Sequence, residues 1–316
     1  MIVRFWGVRG SVPAPLGAKQ VKEKIMSALK GATESDIGDK RAAGDYLEGL
    51  PWHIKGTYGG NTSCVELHSE DTTIIFDAGT GIRPLGLRLM DGRFGRGAGT
   101  AHLFLSHTHW DHIQGFPFFL PAYVPGNRIV IYSPHPDVGG RFSLQQEAEY
   151  FPVPLRALQA DIEFVSLSEG ENVAVDHVNV KNIKFNHPGG SFGYRVEKQD
   201  TAFVYATDAE FTRVHGTDME KYIPFFSKAK VLVFDSQYTL MEALEKEDWG
   251  HSSSLTGVDM ANEAGVETLV LFHHEPTYDD NTLWDILQRT LKYAELKDSE
   301  HTCKVIMAHE GLELVI

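Results

Sequence analysis

The run His-Thr-His-Trp-Asp-His at positions 107–112 constrains this chain more than any other feature of its sequence. It follows the apolar run 101–106, which predicts a buried β-strand, so four potential metal ligands are expected in one loop at the carboxyl end of a strand. Zn²⁺, Mn²⁺ and Fe²⁺ prefer imidazole and carboxylate ligands. Because side chains alternate along extended backbone, the first two histidines can point the same way, and the final Asp-His pair is placed for a second ion. A loop that is merely rich in histidine is the alternative, and the close crowding of the histidines argues against it.

The charge balance limits the class of partner. The 316 residues include 29 Lys and Arg against 43 Asp and Glu, which gives a formal net charge of -14. Such a chain is not expected to bind long polyanions through a basic surface. A small anionic substrate stays compatible, because bound divalent cations reverse the sign of the local potential.

The sequence also bears on location and on covalent chemistry. No stretch is long and apolar enough to span a bilayer, and residues 1–7 resemble a first strand rather than a signal peptide. A cytoplasmic location without membrane contact is therefore predicted. The two cysteines, Cys64 and Cys303, lie in apolar β-like runs and are predicted to be buried free thiols. A homo-oligomer is compatible with the sequence, which does not set the oligomeric state.

Strand-like and helical runs alternate along the chain. Apolar runs predict strands at 1–7, 64–67, 73–77, 102–105, 128–132, 162–165, 178–185, 192–196, 202–206, 231–234, 268–272 and 304–307. Helices are predicted at 82–90, 253–264 and 282–296. Early strands, interspersed helices and ligands at strand ends predict a layered α/β protein that forms one domain over residues 1–316, with its site on one rim.

Two segments interrupt this pattern. Residues 17–55 are polar, rich in Lys and Glu and weakly helical, and they are predicted to be an insertion. Residues 134–160 combine an amphipathic piece with a Phe-Pro-Val-Pro turn and form a candidate cap segment. Three roles are compatible with either segment: it covers the site, it contacts another subunit, or it is an addition to the surface without either role.

Further ligands are predicted at the ends of later strands. His187 follows the run 178–185, Asp208 follows 202–206, and His273 follows 268–272. Each residue alone could be a hydrogen-bonded structural group. Because the same order of strand and then ligand recurs three times after the first motif, the four sites together predict a metal centre.

In this order of ligands the chain resembles the metallo-β-lactamase-fold hydrolases, and within them the phosphodiesterase and ribonuclease Z-like branch. The runs 76–81 (Phe-Asp-Ala-Gly-Thr-Gly) and 249–253 (Trp-Gly-His-Ser-Ser) support that branch. The resemblance spans nearly the whole chain, and residues 17–55 are its clearest departure. It implies a four-layer αββα sandwich with helical insertions and a metal groove along the rim of the sheets.

The resemblance also implies two divalent transition-metal ions, with zinc ahead of manganese or iron. It assigns His107, His109 and His187 to the first ion. It assigns Asp111, His112 and His273 to the second ion, and Asp208 to both ions. The residue types do not decide which metal is bound, because a set of imidazoles and carboxylates accepts all three.

Four further residues are expected near the groove. Asp77 matches a family carboxylate that is not a ligand, and it is expected to orient a ligand imidazole. His274 neighbours His273 in what reads as a strand, so it should point to the other face and either pack or contact substrate. Asn61, in a Gly-Gly-Asn-Thr-Ser turn, and Arg9 are candidates for phosphate contact. A tight connection and a surface arginine are the alternative interpretations of these two positions.

The predicted reaction is hydrolysis of a phosphodiester. Two divalent ions that share a water lower its pKa towards neutrality, and the resulting hydroxide attacks phosphorus in line. His251 is the candidate acid that protonates the leaving group, as a matching histidine does in the phosphodiesterase branch, and Asp111 could steer the hydroxide. A structural or helix-capping histidine is the alternative for His251.

Several substrates and roles stay open. A small phosphodiester such as a cyclic nucleotide ranks above RNA, because the chain is acidic and has no basic arm. The alternatives are an RNA-processing endonuclease of the ribonuclease Z type and a lactone or thioester hydrolase on the same fold. An oxygen-reducing diiron protein is disfavoured because that branch has an acidic residue where Trp110 stands. A non-catalytic binding protein is disfavoured because all seven ligands are present.

Overall fold

The computed structural model describes residues 1–211, 217–297 and 303–316. Over these residues fourteen strands form two sheets of seven. In chain order they are β1 (Ile2–Gly7), β2 (Cys64–Ser69), β3 (Thr72–Phe76), β4 (Thr100–Phe104), β5 (Arg128–Ser133), β6 (Asp161–Ser166), β7 (Asn172–Val175), β8 (Val178–Phe185), β9 (Ser191–Lys198), β10 (Thr201–Ala206), β11 (Val231–Asp235), β12 (Thr268–Phe272), β13 (Lys304–Met307) and β14 (Glu313–Val315).

Both sheets are antiparallel on one side and parallel on the other. Sheet 1 has the order β14-β1-β2-β3-β4-β5-β6, and its pairs are parallel from β3 onwards. Sheet 2 has the order β13-β12-β11-β10-β9-β8-β7, and its pairs are parallel from β10 to β13. Parallel strands end at the same edge of a sheet, so the loops that follow them meet on one rim.

Helices cover the outer faces of the sheets. The described residues form ten α-helices: α1 (Ala18–Gly31), α2 (Lys40–Gly49), α3 (Trp52–Lys55), α4 (Ile82–Met90), α5 (Trp110–Ile113), α6 (Val138–Gln145), α7 (Thr217–Phe226), α8 (Leu240–Glu245), α9 (Ser254–Glu263) and α10 (Asp280–Leu296). Short 3₁₀ turns cover Phe94–Arg96, Phe116–Phe118, Leu120–Tyr123 and Leu155–Ala157. Within the described ranges, none of these helices has the length and the hydropathy needed to cross a membrane.

Three apolar clusters produce four layers. The first lies between the sheets, where Phe76 of β3 stacks on Tyr205 of β10 with ring centroids 5.2 Å apart. The second joins the outer face of sheet 2 to α7, α9 and α10, and the third joins the outer face of sheet 1 to α4 and α6. Both faces of each sheet are thereby buried, as a sheet with parallel strands requires. The predicted four-layer αββα sandwich is confirmed.

The predicted insertion at 17–55 forms α1, α2 and α3, and none of the residues in these helices is buried. One anchor is Lys24, whose Nζ lies 2.7 Å from Oδ2 of Asp280 at the start of α10 and donates to the carbonyl of Gly56 at 2.8 Å. The candidate cap at 134–160 contains α6, where Arg141 Nη1 donates to Thr108 Oγ1 at 2.6 Å. Residues 134–160 therefore support the loop after β4 through this contact.

Some predicted boundaries differ from the observed ones. Helix α10 begins two residues before the predicted start, because the Asp279 carboxylate accepts a hydrogen bond from the backbone N–H of Thr282 at 2.8 Å and caps the helix there. The predictions omit α5, α7, α8, β7 and β14. Four of these elements are six residues long or shorter, too short to show a period in sequence.

Candidate metal centre

All seven predicted ligands meet at one rim, beyond the carboxyl ends of four strands. The loop after β4 supplies four of them, and single residues follow β8, β10 and β12. They form two groups, in each of which the candidate ligand atoms lie within 4.8 Å of one another: His107, His109 and His187; and Asp111, His112, Asp208 and His273. The folded chain therefore brings together residues that are up to 166 positions apart.

Three residues of this rim have left-handed backbone. Asp77, Asp208 and His273 have φ values of 60°, 52° and 62°, and each lies one or two residues after the end of a strand. Positive φ is uncommon outside glycine, and Asp and His are among the residues that tolerate it best. At each position the chain turns sharply out of the strand, and such strained backbone clusters at functional sites.

The first group holds its imidazoles close together. Nε2 of His187 lies 3.2 Å from Nδ1 of His109, and the rings of His107 and His109 are centred 4.3 Å apart. On its other side the His187 ring donates from Nδ1 to the carbonyl of Gly250 at 2.9 Å, which directs Nε2 into the group. A Cβ at position 250 would lie 2.2 Å from that Nδ1, so glycine is required for this approach.

Asp208 lies between the two groups. Its Oδ1 is 3.7 Å from Nε2 of His107 and 3.4 Å from Nε2 of His273, whereas its Oδ2 is 3.2 Å from Nε2 of His112. Asp111 completes the second group with Oδ2 at 3.1 Å from Nε2 of His112. One carboxylate thus faces imidazoles of both groups, as a residue shared by two ions must.

Unsatisfied nitrogen atoms indicate that the rim fits cations. In the described part of the chain, Nε2 of His107 is buried and makes no hydrogen bond. Nε2 of His112 is also buried; it lies 3.1 and 3.2 Å from the carboxylates of Asp111 and Asp208 without the geometry of a hydrogen bond. Leaving buried polar atoms without a partner is costly, and native proteins rarely do so. Both atoms point into a set of imidazoles and carboxylates that suits zinc, manganese or iron. The donor set therefore fits divalent metal ions.

Electrostatics keep the acidic ligands ionised. Burial raises the pKa of Asp111, but His112 and His273 outweigh that effect and lower it to about 2. Burial likewise opposes ionisation of Asp208, and the same two imidazoles hold its pKa well below the usual range. Burial lowers the pKa of His107 well below its ordinary value, which favours the neutral imidazole. The two carboxylates and His107 are thus in the protonation states in which side chains bind metal. His112 differs, because the carboxylates of Asp111, Asp208 and Asp77 outweigh its burial and raise its pKa well above the ordinary value, so a bound cation would replace its proton.

Asp77 supports the second group from beneath. It is fully buried, and its Oδ2 lies 2.8 Å from Nδ1 of His112 and accepts from Tyr205 OH at 2.9 Å. Its Oδ1 accepts from the backbone N–H of Ser106 at 2.7 Å. The carboxylate thus lies where it can orient the His112 ring. Ser106 and Tyr205, which the sequence did not single out, fix that carboxylate in turn.

His251 lies against both groups. Its ring is centred 5.2 Å from that of His187 and 5.1 Å from that of His273. Nδ1 of His251 is 2.8 Å from Oδ2 of Asp235, a fully buried carboxylate at the end of β11. Burial alone would lower the pKa of His251, but the Asp235 carboxylate outweighs it and raises the pKa to about 8. Sequence reasoning missed Asp235, although it ends a strand-like run in the same way as the ligands do.

Arg9 is not at the surface and does not face the groove. It is 2% exposed, and its guanidinium donates to the carbonyl oxygens of Gly59, Glu275 and Tyr278 at 2.8, 3.1 and 2.8 Å. These backbone acceptors take the hydrogens of Nε and Nη1, and the remaining Nη2 is buried 4.0 Å from the Asp280 carboxylate, away from the groove. The suggestion of a phosphate contact by Arg9 is wrong, because this arginine ties three loops together.

Asn61 and His274 also turn away from the groove. Asn61 donates from its backbone N–H and from Nδ2 to the Glu310 carboxylate, at 2.6 and 3.0 Å. His274 is 1% exposed, donates from Nε2 to the carbonyl of Ala308 at 2.8 Å, and has a pKa that burial lowers to about 3. The histidine pair separates because His273 follows β12 in left-handed backbone, and not because the two alternate within a strand.

A groove of about 410 Å³ opens over the ligands. Besides ligand side chains and His251, its walls comprise Ser11, Thr108 and Trp110. The backbone N–H of Ser11 donates to Oδ2 of Asp111 at 2.8 Å, which fixes this ligand from the far wall. Of the eight residues that line the groove, none is Lys or Arg. A substrate anion would therefore meet positive charge only through bound cations and His251.

Comparison with known proteins agrees with this geometry. The profile described as "Beta-lactamase superfamily domain" matches residues 72–274. A ribonuclease Z of Haloarcula marismortui is 22% identical over 267 residues, which cover 69% of this chain and 82% of that protein. The solved metallo-beta-lactamase fold protein YhfI from Bacillus subtilis has a TM-score of 0.62 and 16% identity, and the match covers 99% of this chain and 98% of that one. Unliganded yeast PDE1 has a TM-score of 0.63 and 13% identity, with 100% and 99% covered.

Proposed function

This chain belongs to the beta-lactamase superfamily, and we propose that it is a metal-dependent phosphodiesterase that hydrolyses a small phosphodiester such as a cyclic nucleotide. In this proposal His107, His109 and His187 would hold the first ion. Asp111, His112 and His273 would hold the second, and Asp208 would contribute to both. Two divalent ions at such a centre lower the pKa of a shared water and neutralise phosphoryl oxygens.

The protein's own residues hold the parts of the centre in place. Asp77 fixes the His112 ring through Nδ1, and the carbonyl of Gly250 fixes His187 in the same way. The backbone N–H of Ser11 binds one oxygen of Asp111 and sets the direction of the other. These three candidate ligands are therefore held in one orientation, which reduces the reorganisation needed when substrate binds.

The observation that carries the proposal is the bond between His251 and Asp235. Asp235 accepts the Nδ1 proton at 2.8 Å and raises the pKa of the imidazole to about 8, which favours its protonated form. Nε2 is then the atom that donates a proton to the departing oxygen. An alkoxide leaving group needs that proton, whereas the thiolate released from a thioester does not. The pair thus favours a phosphodiester over a thioester.

Leaving groups of different basicity test this role. We expect His251→Ala to lower turnover of a cyclic nucleotide, which releases an alkoxide, by about 10²- to 10⁴-fold. With bis(p-nitrophenyl) phosphate the loss should be much smaller, because p-nitrophenolate is a weak base. His177→Ala is the control, since His177 lies in the turn between β7 and β8 and bonds Ser69. Full cyclic-nucleotide turnover by His251→Ala would remove this residue from the mechanism. Faster turnover of a lactone than of any diester by the wild-type protein would overturn the substrate class.

RNA processing is the second candidate, because relatives that are 21–22% identical to this chain are named ribonuclease Z. The net charge of -14 and a groove lined by no Lys or Arg disfavour a long polyanion. A parallel assay with a precursor transfer RNA and with small diesters separates the two. Cleavage of the RNA at a much higher kcat/KM than any small diester would favour the ribonuclease assignment.

A further inference from the structure

Trp110 is the most exposed large apolar side chain that the described residues show. It is 82% exposed, although the next three residues, Asp111, His112 and Ile113, are all buried. It occupies the first position of α5, which turns the ligands inwards and the indole outwards. An indole left in water forgoes the large hydrophobic stabilisation that burial of a tryptophan provides.

The fold does not use this side chain. Within the described ranges, the Trp110 ring stacks on no other aromatic ring and lies under no cation. Its backbone carbonyl accepts from the N–H of Gln114 at 2.7 Å, a contact that any residue type could supply. The metal ligands on either side are fixed by Ser11, Asp77 and Asp208, and not by the indole.

The indole nevertheless forms one wall of the groove beside the ligands. The groove of about 410 Å³ falls in the range of small-molecule sites. Its other walls offer imidazoles, carboxylates and the hydroxyl groups of Ser11 and Thr108, and the Thr108 hydroxyl already accepts from Arg141. Trp110 is thus the aromatic surface, other than imidazole, that a ligand in this groove can contact.

We propose that Trp110 is a stacking platform for a planar aromatic group, such as a nucleobase, carried by the phosphodiester whose phosphate lies at the ligand groups. This rests on the proposed function and narrows its substrate class to small diesters with such a group. Stacking suits a groove without Lys or Arg, because it adds affinity without a further positive charge. The aromatic group then determines which phosphodiester is preferred, because the phosphate is common to all of them.

Binding of two phosphates to the metal-loaded protein tests the proposal by calorimetry. Adenosine 5′-monophosphate carries a base, and ethyl phosphate does not. In Trp110→Ala we expect the Kd of the nucleotide to rise about five- to a hundred-fold, while the Kd of ethyl phosphate stays unchanged. Trp110→Phe should retain most of the nucleotide affinity. Trp249→Ala is the matched control, since Trp249 is 61% exposed but does not line the groove.

Two results would overturn the proposal. The first is unchanged nucleotide affinity in Trp110→Ala. If that variant also loses self-association, the exposed indole would instead belong to a contact between two copies of the chain. Equal weakening of both ligands is the second, because it would mean that the indole only supports the loop. If the wild-type protein hydrolyses no phosphodiester, the proposed function is wrong. The result for Trp110 is still decided by the binding experiment, because that experiment does not depend on catalysis.

Discussion

Asp77 and His112 form a fully buried pair in which Oδ2 of the carboxylate lies 2.8 Å from Nδ1 of the imidazole. The two residues are 35 positions apart and follow neighbouring parallel strands, β3 and β4. A carboxylate in this place selects the tautomer that leaves Nε2 free, and it raises the basicity of the ring. If His112 binds a cation, the pair makes the affinity for that cation depend on Asp77, which lies outside both candidate ligand groups.

Asp77→Asn tests whether metal affinity depends on this carboxylate. Asparagine tolerates left-handed backbone as aspartate does, so the turn at φ 60° is kept while the carboxylate charge is lost. We expect metal affinity to fall by about 10- to 100-fold, measured by competition with a chelator. Asp71→Asn is the control, because Asp71 is exposed just before β3 at the other end of the same strand. Wild-type affinity in Asp77→Asn would show that the carboxylate does not act through His112.

Asp208→Asn tests the position between the two groups. The variant again keeps left-handed backbone, here at φ 52°, but gives up the charge and one of the two equivalent acceptor oxygens. We expect metal content, measured by elemental analysis, to fall by at least half, and diester turnover to be lost. The exposed Asp200, directly before β10, provides the control Asp200→Asn. Retention of the full metal content would mean that Asp208 is not shared by two ions.

Lys24→Met tests how the segment 17–55 is attached. The Lys24 side chain is 17% exposed, and its Nζ contacts the Asp280 carboxylate at 2.7 Å as well as the carbonyl oxygens of His53 and Gly56. Loss of these contacts should lower the free energy of unfolding by about 1.5–3 kcal/mol in denaturant titration. Turnover should be unchanged, because no residue of this segment lines the groove.

Lys19→Met is the control for that experiment on the same helix. Lys19 is 89% exposed and lies 3.7 Å from Glu23, so its loss should change stability by less than about 0.5 kcal/mol. Equal stability of the Lys24 and Lys19 variants would contradict the view that Lys24 anchors the segment.

The sequence placed the seven candidate ligands close together, as they lie in the structure, because two local signals coincide at their positions. An apolar run predicts where a strand ends, and a histidine or aspartate just beyond that end has little reason to be there unless it faces a site. The same logic applied to Asp235 would have found the partner of His251. The run before it was recognised, but a lone carboxylate without a neighbouring histidine gives no metal-like spacing.

Burial of polar residues was harder to predict. Arg9 and Asn61 lie in Gly-rich segments that look like exposed loops, yet both are held by partners more than 45 positions away in sequence. Such partners are set by the folded topology and leave no periodic trace. Similarly, the separation of His273 from His274 depends on one left-handed residue, which a strand-like pattern of side chains does not reveal.

Both ligand groups draw on the two halves of the sandwich. The loop after β4 of sheet 1 provides His107, His109, Asp111 and His112, and the ends of sheet 2 strands provide His187, Asp208 and His273. Each cation would therefore link sheet 1 to sheet 2, and its binding free energy would stabilise the packing of one sheet on the other. Loss of the metal would then lower the stability of the folded protein. A chelator should therefore lower the melting temperature of this protein as well as inactivate it.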